Sequence, residues 1–430
     1  MAIFRKKTKP RVCVIGLDGV PHPLLQDLAE RDVMPTFKDL ISSGHLHNLK
    51  ASLPEISSVS WSDFMTGTNP GTHGIFGFTE LKPGGYDLRF PNYLDVKAPA
   101  IWDKLGRKKK RSIIINQPST YPARRIDGML VSGFVAIDLA KAVYPPALKS
   151  RLEGLDYQID IDTFRCREDH EFLWKDLALT LKGREQAFDS FWPEDWDYFE
   201  FVITGTDRVQ HFLWDAYQDK EHPHHQRLLD YYHEVDRVVG RVADAFERST
   251  GSRENLFLLS DHGFTGIRQE VYLNAWLEQE GYLSFKSPEP QGIGDITPES
   301  RAFALDPNRI HIHLEGRYPE GRVPPGEKAA LKQEISQKLS GLRYEDDPVI
   351  DRIFDCEEIY SGPWVSKGPD LIALARHGFD MKGSVKKKAV FGRSVLQGMH
   401  TWDDAYFWAS ADHGPDLRIS DLSEIILKRF

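Results

Sequence analysis

The sequence predicts an α/β fold: a mostly parallel central sheet flanked by helices, in a single domain of residues 1–430 with two insertions that form a cap. Three observations carry that reading. Short apolar runs such as Arg11-Val-Cys-Val-Ile-Gly-Leu17 and Asn255-Leu-Phe-Leu-Leu259 have the length and polar bounds of buried strands. Stretches with helical spacing lie between such runs. Three of the runs lead at once into an aspartate: Leu17 into Asp18, Gly205-Thr206 into Asp207, and Ser260 into Asp261. In an open parallel sheet the carboxyl ends of the strands share one rim, where ligands bind.

In chain order, the first strand ends in the turn Asp18-Gly19, and Leu24 to Gly44 is helical in pattern with an interruption at Pro35. A short strand runs from about His45 to Ser52. Ser57 to Thr66 reads as a helix, with Ser57 at its start and Gly67 just past its end, and the tight loop Gly67-Thr-Asn-Pro-Gly-Thr-His-Gly74 follows. A helix at Ile101–Leu105 joins a strand at Ser112–Asn116 through Arg107-Lys-Lys-Lys-Arg111, a basic run read as a solvated loop. From 136 to 192 the strand–helix alternation is lost. This stretch, ending in a long amphipathic helix around His170–Phe191, is the first insertion and is expected to cap the sheet edge. Asp197–Gly205 is another buried strand, followed by a helix through Trp214 and a further helix at Leu228–Phe246. Residues 273–326, rich in Pro, Gly and charge, form the second insertion, expected to be more loosely ordered, with one alternating strand at Arg309–Leu314. A helix at Ala329–Leu342, a strand at Pro369–Leu374 and a closing helix at Ser420–Phe430 complete the chain.

Hydrophobic residues make up 40% of the sequence, enough for a substantial core, and the formal net charge of −9 argues against a nucleic-acid-binding module. Cys13, Cys166 and Cys356 are far apart and odd in number, so they suggest neither a disulfide framework nor a zinc ribbon, and a reducing, cytoplasmic setting is expected. The basic start, Met1 to Pro10, is read as a disordered leader and not as a signal peptide, because the apolar run after it is short and leads into Asp18. No stretch approaches the ~20 apolar residues of a membrane span.

Chemistry converges on the strand ends. Three carboxylates in one crevice repel one another unless cations neutralise them. Histidines accompany two of them: His262 follows Asp261, and His211 stands four residues after Asp207, on the same face of a helix. His400 lies in a stretch read as a loop, Gln397-Gly-Met-His-Thr401. With Ser57, this makes three Asp, three His and one Ser, a set that accounts for two metal ions about 4 Å apart. Each residue alone has an ordinary reading; Ser57, for example, would be a routine helix cap. His222, His224 and His225 read as a solvated loop, and His311 and His313 as surface-facing residues of a strand.

These residues resemble the alkaline phosphatase superfamily, and within it the type I phosphodiesterase/nucleotide pyrophosphatase branch. The matching segments are Val14-Ile-Gly-Leu-Asp-Gly19; Pro54-Glu-Ile-Ser57 with Trp61 and Thr66-Gly-Thr-Asn-Pro-Gly-Thr-His-Gly-Ile75; Thr206-Asp-Arg-Val-Gln-His211; Ser260-Asp-His-Gly263; and Gly398-Met-His400. The resemblance implies an alkaline-phosphatase-like sheet and two divalent ions, zinc in most members, with manganese compatible with the same ligands. It implies Asp207, His211 and His400 around one ion and Asp18, Ser57, Asp261 and His262 around the other. Ser57 falls at the nucleophile position, with Ser58 and Ser60 as neighbouring alternatives. A hydroxyl activated by a cation and a helix N-terminus would attack phosphorus and form a phospho-serine.

One position departs from the pattern. Nucleotide pyrophosphatases of this branch carry an Asn shortly after the His-Gly-Ile landmark, and Phe78 stands there in this chain. Asn69, Asn116 and Arg208 are candidates for its phosphate contact, and Trp61, Phe76 and Phe78 for a leaving-group wall or for core. The function expected is a metal-dependent phosphoesterase acting on a small-molecule phosphate ester or pyrophosphate. The alternatives are a phosphomonoesterase, a phosphotransferase or mutase of the same superfamily, and a non-catalytic metal-binding scaffold. A sulfatase is disfavoured because no Cys-x-Pro-x-Arg stretch is present.

Overall fold

The computed structural model describes residues 10–430; the basic leader lies outside the described residues but for Pro10. A nine-stranded sheet forms the centre. Its order is Leu417–Arg418, His45–Lys50, Ala405–Ala409, Leu256–Leu259, Val12–Leu17, Tyr198–Ile203, Ser112–Gln117, Gly128–Ser132 and Val143–Tyr144. The five strands from Leu256–Leu259 to Gly128–Ser132 are parallel. Ala405–Ala409 runs antiparallel between His45–Lys50 and Leu256–Leu259, and Val143–Tyr144 closes the other edge antiparallel to Gly128–Ser132.

The strands of the middle are apolar throughout because both faces are covered. Along Val12–Leu17, Cys13, Ile15 and Leu17 point into one apolar cluster, and Val12 and Val14 into another, as strand alternation requires. The first cluster is roofed by helices His170–Phe191, Gly205–Gln218 and His225–Thr250. The second is roofed by Ser57–Thr66, Ile101–Arg107 and Asp421–Leu427. Gly16 has no side chain because the Trp61 indole occupies its space: a Cβ there would stand 2.6 Å from the ring.

The 24–44 region is two helices, His22–Glu30 and Pro35–Ser43, rather than one interrupted helix; Pro35 opens the second, where its missing N–H costs nothing. His400 lies on a strand, not in a loop. Gly398–Thr401 pairs antiparallel with Gly263–Gly266, with His400 opposite Phe264. The partner is more than a hundred residues away, so local sequence gave no sign of it.

A smaller sheet packs beside the first, in the order Ala302–Leu305, Arg309–Ile312, Leu371–Ala375 and Ile350–Asp355. Together with helices Leu273–Gln279 and Lys328–Ser340 it encloses an apolar cluster of its own. His311 and His313 are buried here, not surface-facing: Arg309–Ile312 is an inner strand covered on both faces. The three cysteines are buried and unpaired. Among the described residues, no helix is long and apolar enough to cross a membrane.

Candidate active site

The carboxyl ends of three adjacent parallel strands deliver the site. Asp18 follows Val12–Leu17, Asp261 and His262 follow Leu256–Leu259, and Asp207 lies in the first turn of the helix that follows Tyr198–Ile203. The turn at Asp18 needs the positive φ of Gly19, +70°, and the Gly19 N–H donates to Asp261 Oδ1 at 3.1 Å, tying two strand ends together. One helical turn carries the chain from Asp207 to His211. The short antiparallel pairing of Gly263–Gly266 with Gly398–Thr401 brings His400 over the same rim.

All seven predicted ligands meet there. His262 Nε2 lies 3.6 Å from Asp18 Oδ1, 3.9 Å from Asp207 Oδ1 and 3.4 Å from Asp261 Oδ2. His400 Nε2 is 3.1 Å from Asp207 Oδ1, and His211 Nε2 is 3.4 Å from the same oxygen. Ser57 Oγ sits 3.1 Å from His262 Nε2 and 3.4 Å from Asp18 Oδ1. Ser57 is the first helical residue and does not cap its helix; Ile56 holds the cap position. Its hydroxyl is turned to the cluster instead. Of its neighbours, Ser60 exchanges a 2.7 Å hydrogen bond with Ser52, and the buried Ser58 hydroxyl has no partner.

The donor set fits metal ions. Each of the three imidazoles places Nδ1 2.9 Å from a backbone carbonyl: His211 at Gly398, His262 at Gly263 and His400 at Glu55. An Nδ1–H donating to each carbonyl turns Nε2 inward as a lone-pair donor, the arrangement typical of ligating histidines. Yet His211 Nε2 and His400 Nε2 stand 3.0 Å apart, and two lone pairs at that distance need a positive charge between them. Burial pushes His400 down to about 3, so its own proton does not supply that charge. Two groups of ligand atoms lie within 4.8 Å of one another: Asp207, His262 and His400, and Asp18, Asp261 and His262. His262 belongs to both. Asp261 Oδ2 is buried with no hydrogen-bond partner.

The electrostatics agree. Burial, then the charges of Asp261 and Asp207, push the Asp18 carboxyl well above the ordinary range, and burial does the same to Asp261. Burial also works against the Asp207 carboxylate, but the His211 and His400 rings and Arg208 outweigh it and hold it well below the ordinary range. Without added cations Asp18 and Asp261 therefore hold their protons to higher pH than ordinary carboxyls do.

The surrounding shell was less legible. The Trp61 indole N–H donates to Asp18 Oδ2 at 2.8 Å, and the Thr206 hydroxyl to the Asp18 carbonyl at 2.6 Å. Gln210 donates to the Gly19 carbonyl. Trp61 thus belongs to the core and positions a ligand at once; its place one helical turn after Ser57 was the available signal. Phe76 packs against Tyr360 in a satellite core, away from the cluster.

The candidates for the missing Asn are committed elsewhere. Asn69 caps the turn at Pro70 and bonds to Ser361. Asn116 donates to the Val202 carbonyl. Arg208 is ion-paired to Asp207 at 2.8 Å and to Asp160 at 2.7 Å. Phe78 lies edge-on to Phe134, over whose ring Arg208 stacks, and both rings line a small cavity that reaches Ser58.

A family model for type I phosphodiesterase / nucleotide pyrophosphatase matches residues 12–403. The chain belongs to that family. It lies in the alkaline phosphatase superfamily, and the family marks it as a phosphoester hydrolase. Crystal structures of phosphonoacetate hydrolase from Sinorhizobium meliloti 1021, with phosphonoformate and with phosphonoacetate, superpose with a TM-score of 0.65 at 13% and 14% identity. The match covers 98% of this chain and 96% of theirs. Murine ectonucleotide pyrophosphatase/phosphodiesterase 5, an inactive variant in complex with AMP, superposes with a TM-score of 0.57 at 14% identity, covering 98% of this chain and 94% of its own. At such identities these likenesses speak for the fold. No curated protein sequence gives a significant match.

Proposed function

We propose that this family member is a two-metal phosphoesterase, a phosphodiesterase/nucleotide pyrophosphatase in type, that works through a phospho-serine at Ser57. One observation carries the reading: inward-facing imidazole nitrogens and three buried carboxylates converge on a single hydroxyl, with too little positive charge among them. Asp207, His211 and His400 would hold one divalent ion and Asp18, Ser57, Asp261 and His262 the other, zinc being the first choice and manganese compatible. When bound, such ions lower the pKa of a hydroxyl and absorb the charge of a transferring phosphoryl group.

The chain's own residues account for the rest. Ser57 Oγ is fixed between Asp18 and His262 at the start of a ten-residue helix, whose N-terminus adds partial positive charge. From there it attacks phosphorus, and water later cleaves the phospho-serine. Trp61, Thr206 and Gly19 hold Asp18 and Asp261 in place, so the attacking oxygen needs no rearrangement of its surroundings. The cavity beside Ser58, walled by Phe78 and Phe134, takes the group next to phosphorus. That cavity is narrow and aromatic where nucleotide pyrophosphatases of the branch carry an amide. This favours, as a second reading, a phosphomonoester or another substrate with a small group on phosphorus.

The test is a paired assay of bis-p-nitrophenyl phosphate and p-nitrophenyl phosphate, with and without chelator, on the wild type and Ser57→Ala. Turnover is expected to need metal and to vanish in Ser57→Ala, with metal still bound at the Asp207 site. Full activity in Ser57→Ala would remove Ser57 as nucleophile. A higher kcat/KM for the monoester would favour the second reading.

A further inference from the structure

A second cavity, of about 290 Å³, lies between the loop at Gly74–Phe76, the hairpin around Lys82–Gly85 and the inner strand Arg309–Ile312. None of the seven predicted ligand residues lines it. In a chain of formal charge −9, its wall carries six lysines or arginines and two carboxylates; Arg89 pairs with both of these, Arg317 with Asp370 and Lys82 with Asp87, which leaves Lys97, Arg309 and Lys367.

Three features distinguish it from a solvated basic patch. Arg309 is 1% exposed, and its guanidinium donates to the carbonyls of Asp306 and Thr79. Among the described residues no carboxylate lies within ion-pair distance of it, so its charge is oriented but uncompensated. A buried cation without a counter-ion is costly. Second, His311 is 6% exposed, and its Nε2 has no hydrogen-bond partner while Nδ1 meets the Tyr318 hydroxyl at 3.1 Å. With Tyr318 donating to Nδ1, the ring carries its proton on Nε2 and offers a buried, unused donor. Burial and the charges of Arg317 and Arg309 push this histidine well below the ordinary range, which disfavours a second proton on the ring. Third, the Lys97 and Lys367 ammonium groups stand at the rim, and neither has a carboxylate within ion-pair distance among the described residues.

We propose that this cavity binds a small phosphate-bearing anion, separately from the metal-binding cluster. The ligand would supply the missing negative charge to Arg309, accept from His311 Nε2 and draw in the two rim lysines. Charge-assisted donors arranged around a polyvalent oxyanion are the strong case of hydrogen bonding. The proposal does not depend on the hydrolase reading.

The test is calorimetric titration of the full-length protein with orthophosphate, pyrophosphate and acetate, as purified and after chelation. Saturable phosphate or pyrophosphate binding is expected to survive chelation, because no metal ligand lines the cavity. It is expected to weaken at least tenfold in Lys97→Ala/Lys367→Ala, two exposed positions where the fold is not at stake. His311→Phe, which keeps a ring stacked on Phe303 but removes Nε2, is expected to weaken it as well. Binding that disappears on chelation, is untouched by these substitutions, is matched by acetate or is absent altogether would overturn the proposal.

Discussion

Replacing Trp61 by Phe removes one N–H from the site and keeps an aromatic ring in the core, but loses the far edge of the indole, Cη2 and Cζ2, that packs against Gly16. The lost bond runs 2.8 Å to Asp18 Oδ2, both partners being buried. A hydrogen bond to a charged group contributes about 1.5–3 kcal/mol net. The loss falls on the metal-loaded state. Without metal, burial and its acidic neighbours disfavour the ionised Asp18 carboxyl, and the N–H gains less from a neutral one. With metal, Asp18 must ionise, and the N–H then helps to hold the charge. At about 1.4 kcal/mol per factor of ten, Trp61→Phe should weaken zinc at the Asp18 site by about 10- to 150-fold. Affinity at the site formed by Asp207, His211 and His400 should change far less. Competition titrations of stripped protein against a chromophoric chelator resolve the two steps, and thermal melts with and without zinc separate binding from packing. If both affinities were unchanged while the metal-free protein melted lower, Trp61 would be a core filler and nothing more.

Three further outcomes follow from the same structure. Because burial makes Asp18 and Asp261 hold their protons to higher pH in the metal-free fold, metal binding is expected to expel protons from them. Calorimetry in buffers of different ionisation enthalpy should show proton release, and apparent affinity should rise with pH. Glu200, fully buried in a central strand beside Tyr198, is pushed up to about 8 from an ordinary 4.5 by its burial. Its folded-state pKa exceeds the unfolded one, so the stability it contributes is present below about 4.5 and lost as pH rises through about 8. Glu200→Gln should cancel a loss on the order of 4 kcal/mol, read by urea melts at pH 5.5 and 8.5. Gly19→Ala forces a side chain into a backbone of φ +70°, with its Cβ 3.1 Å from Asp207 Cβ. It should cost about 1–2 kcal/mol of stability from the backbone alone, and stripped protein should rebind zinc more weakly.

What the sequence made legible and what it hid divide along a physical line. Asp18, Asp207 and Asp261 could be placed together because each follows an apolar run, and parallel strands allow their carboxyl ends only one common rim. His211 and His262 came with them by covalent proximity. His400 had no strand end of its own to place it, and its grouping with Asp207 and His211 came from the resemblance; its strand exists because Gly398–Thr401 pairs with Gly263–Gly266, a contact that no local pattern encodes. The same limit explains His311 and His313. Alternation showed that they share one face of a strand, but only what packs over that face, here Phe303, Tyr318 and Tyr86, decides whether it meets solvent. Arg208 shows the converse limit. A free guanidinium next to Asp207 reads as a phosphate ligand until Asp160, forty-eight residues upstream, arrives to pair with it. Identity and spacing thus identify groups that act through their own strand end. Groups whose role depends on a partner from another segment, whether ligand orienters such as Trp61 or buried cations such as Arg309, become readable only when the tertiary partner, or its absence, is seen.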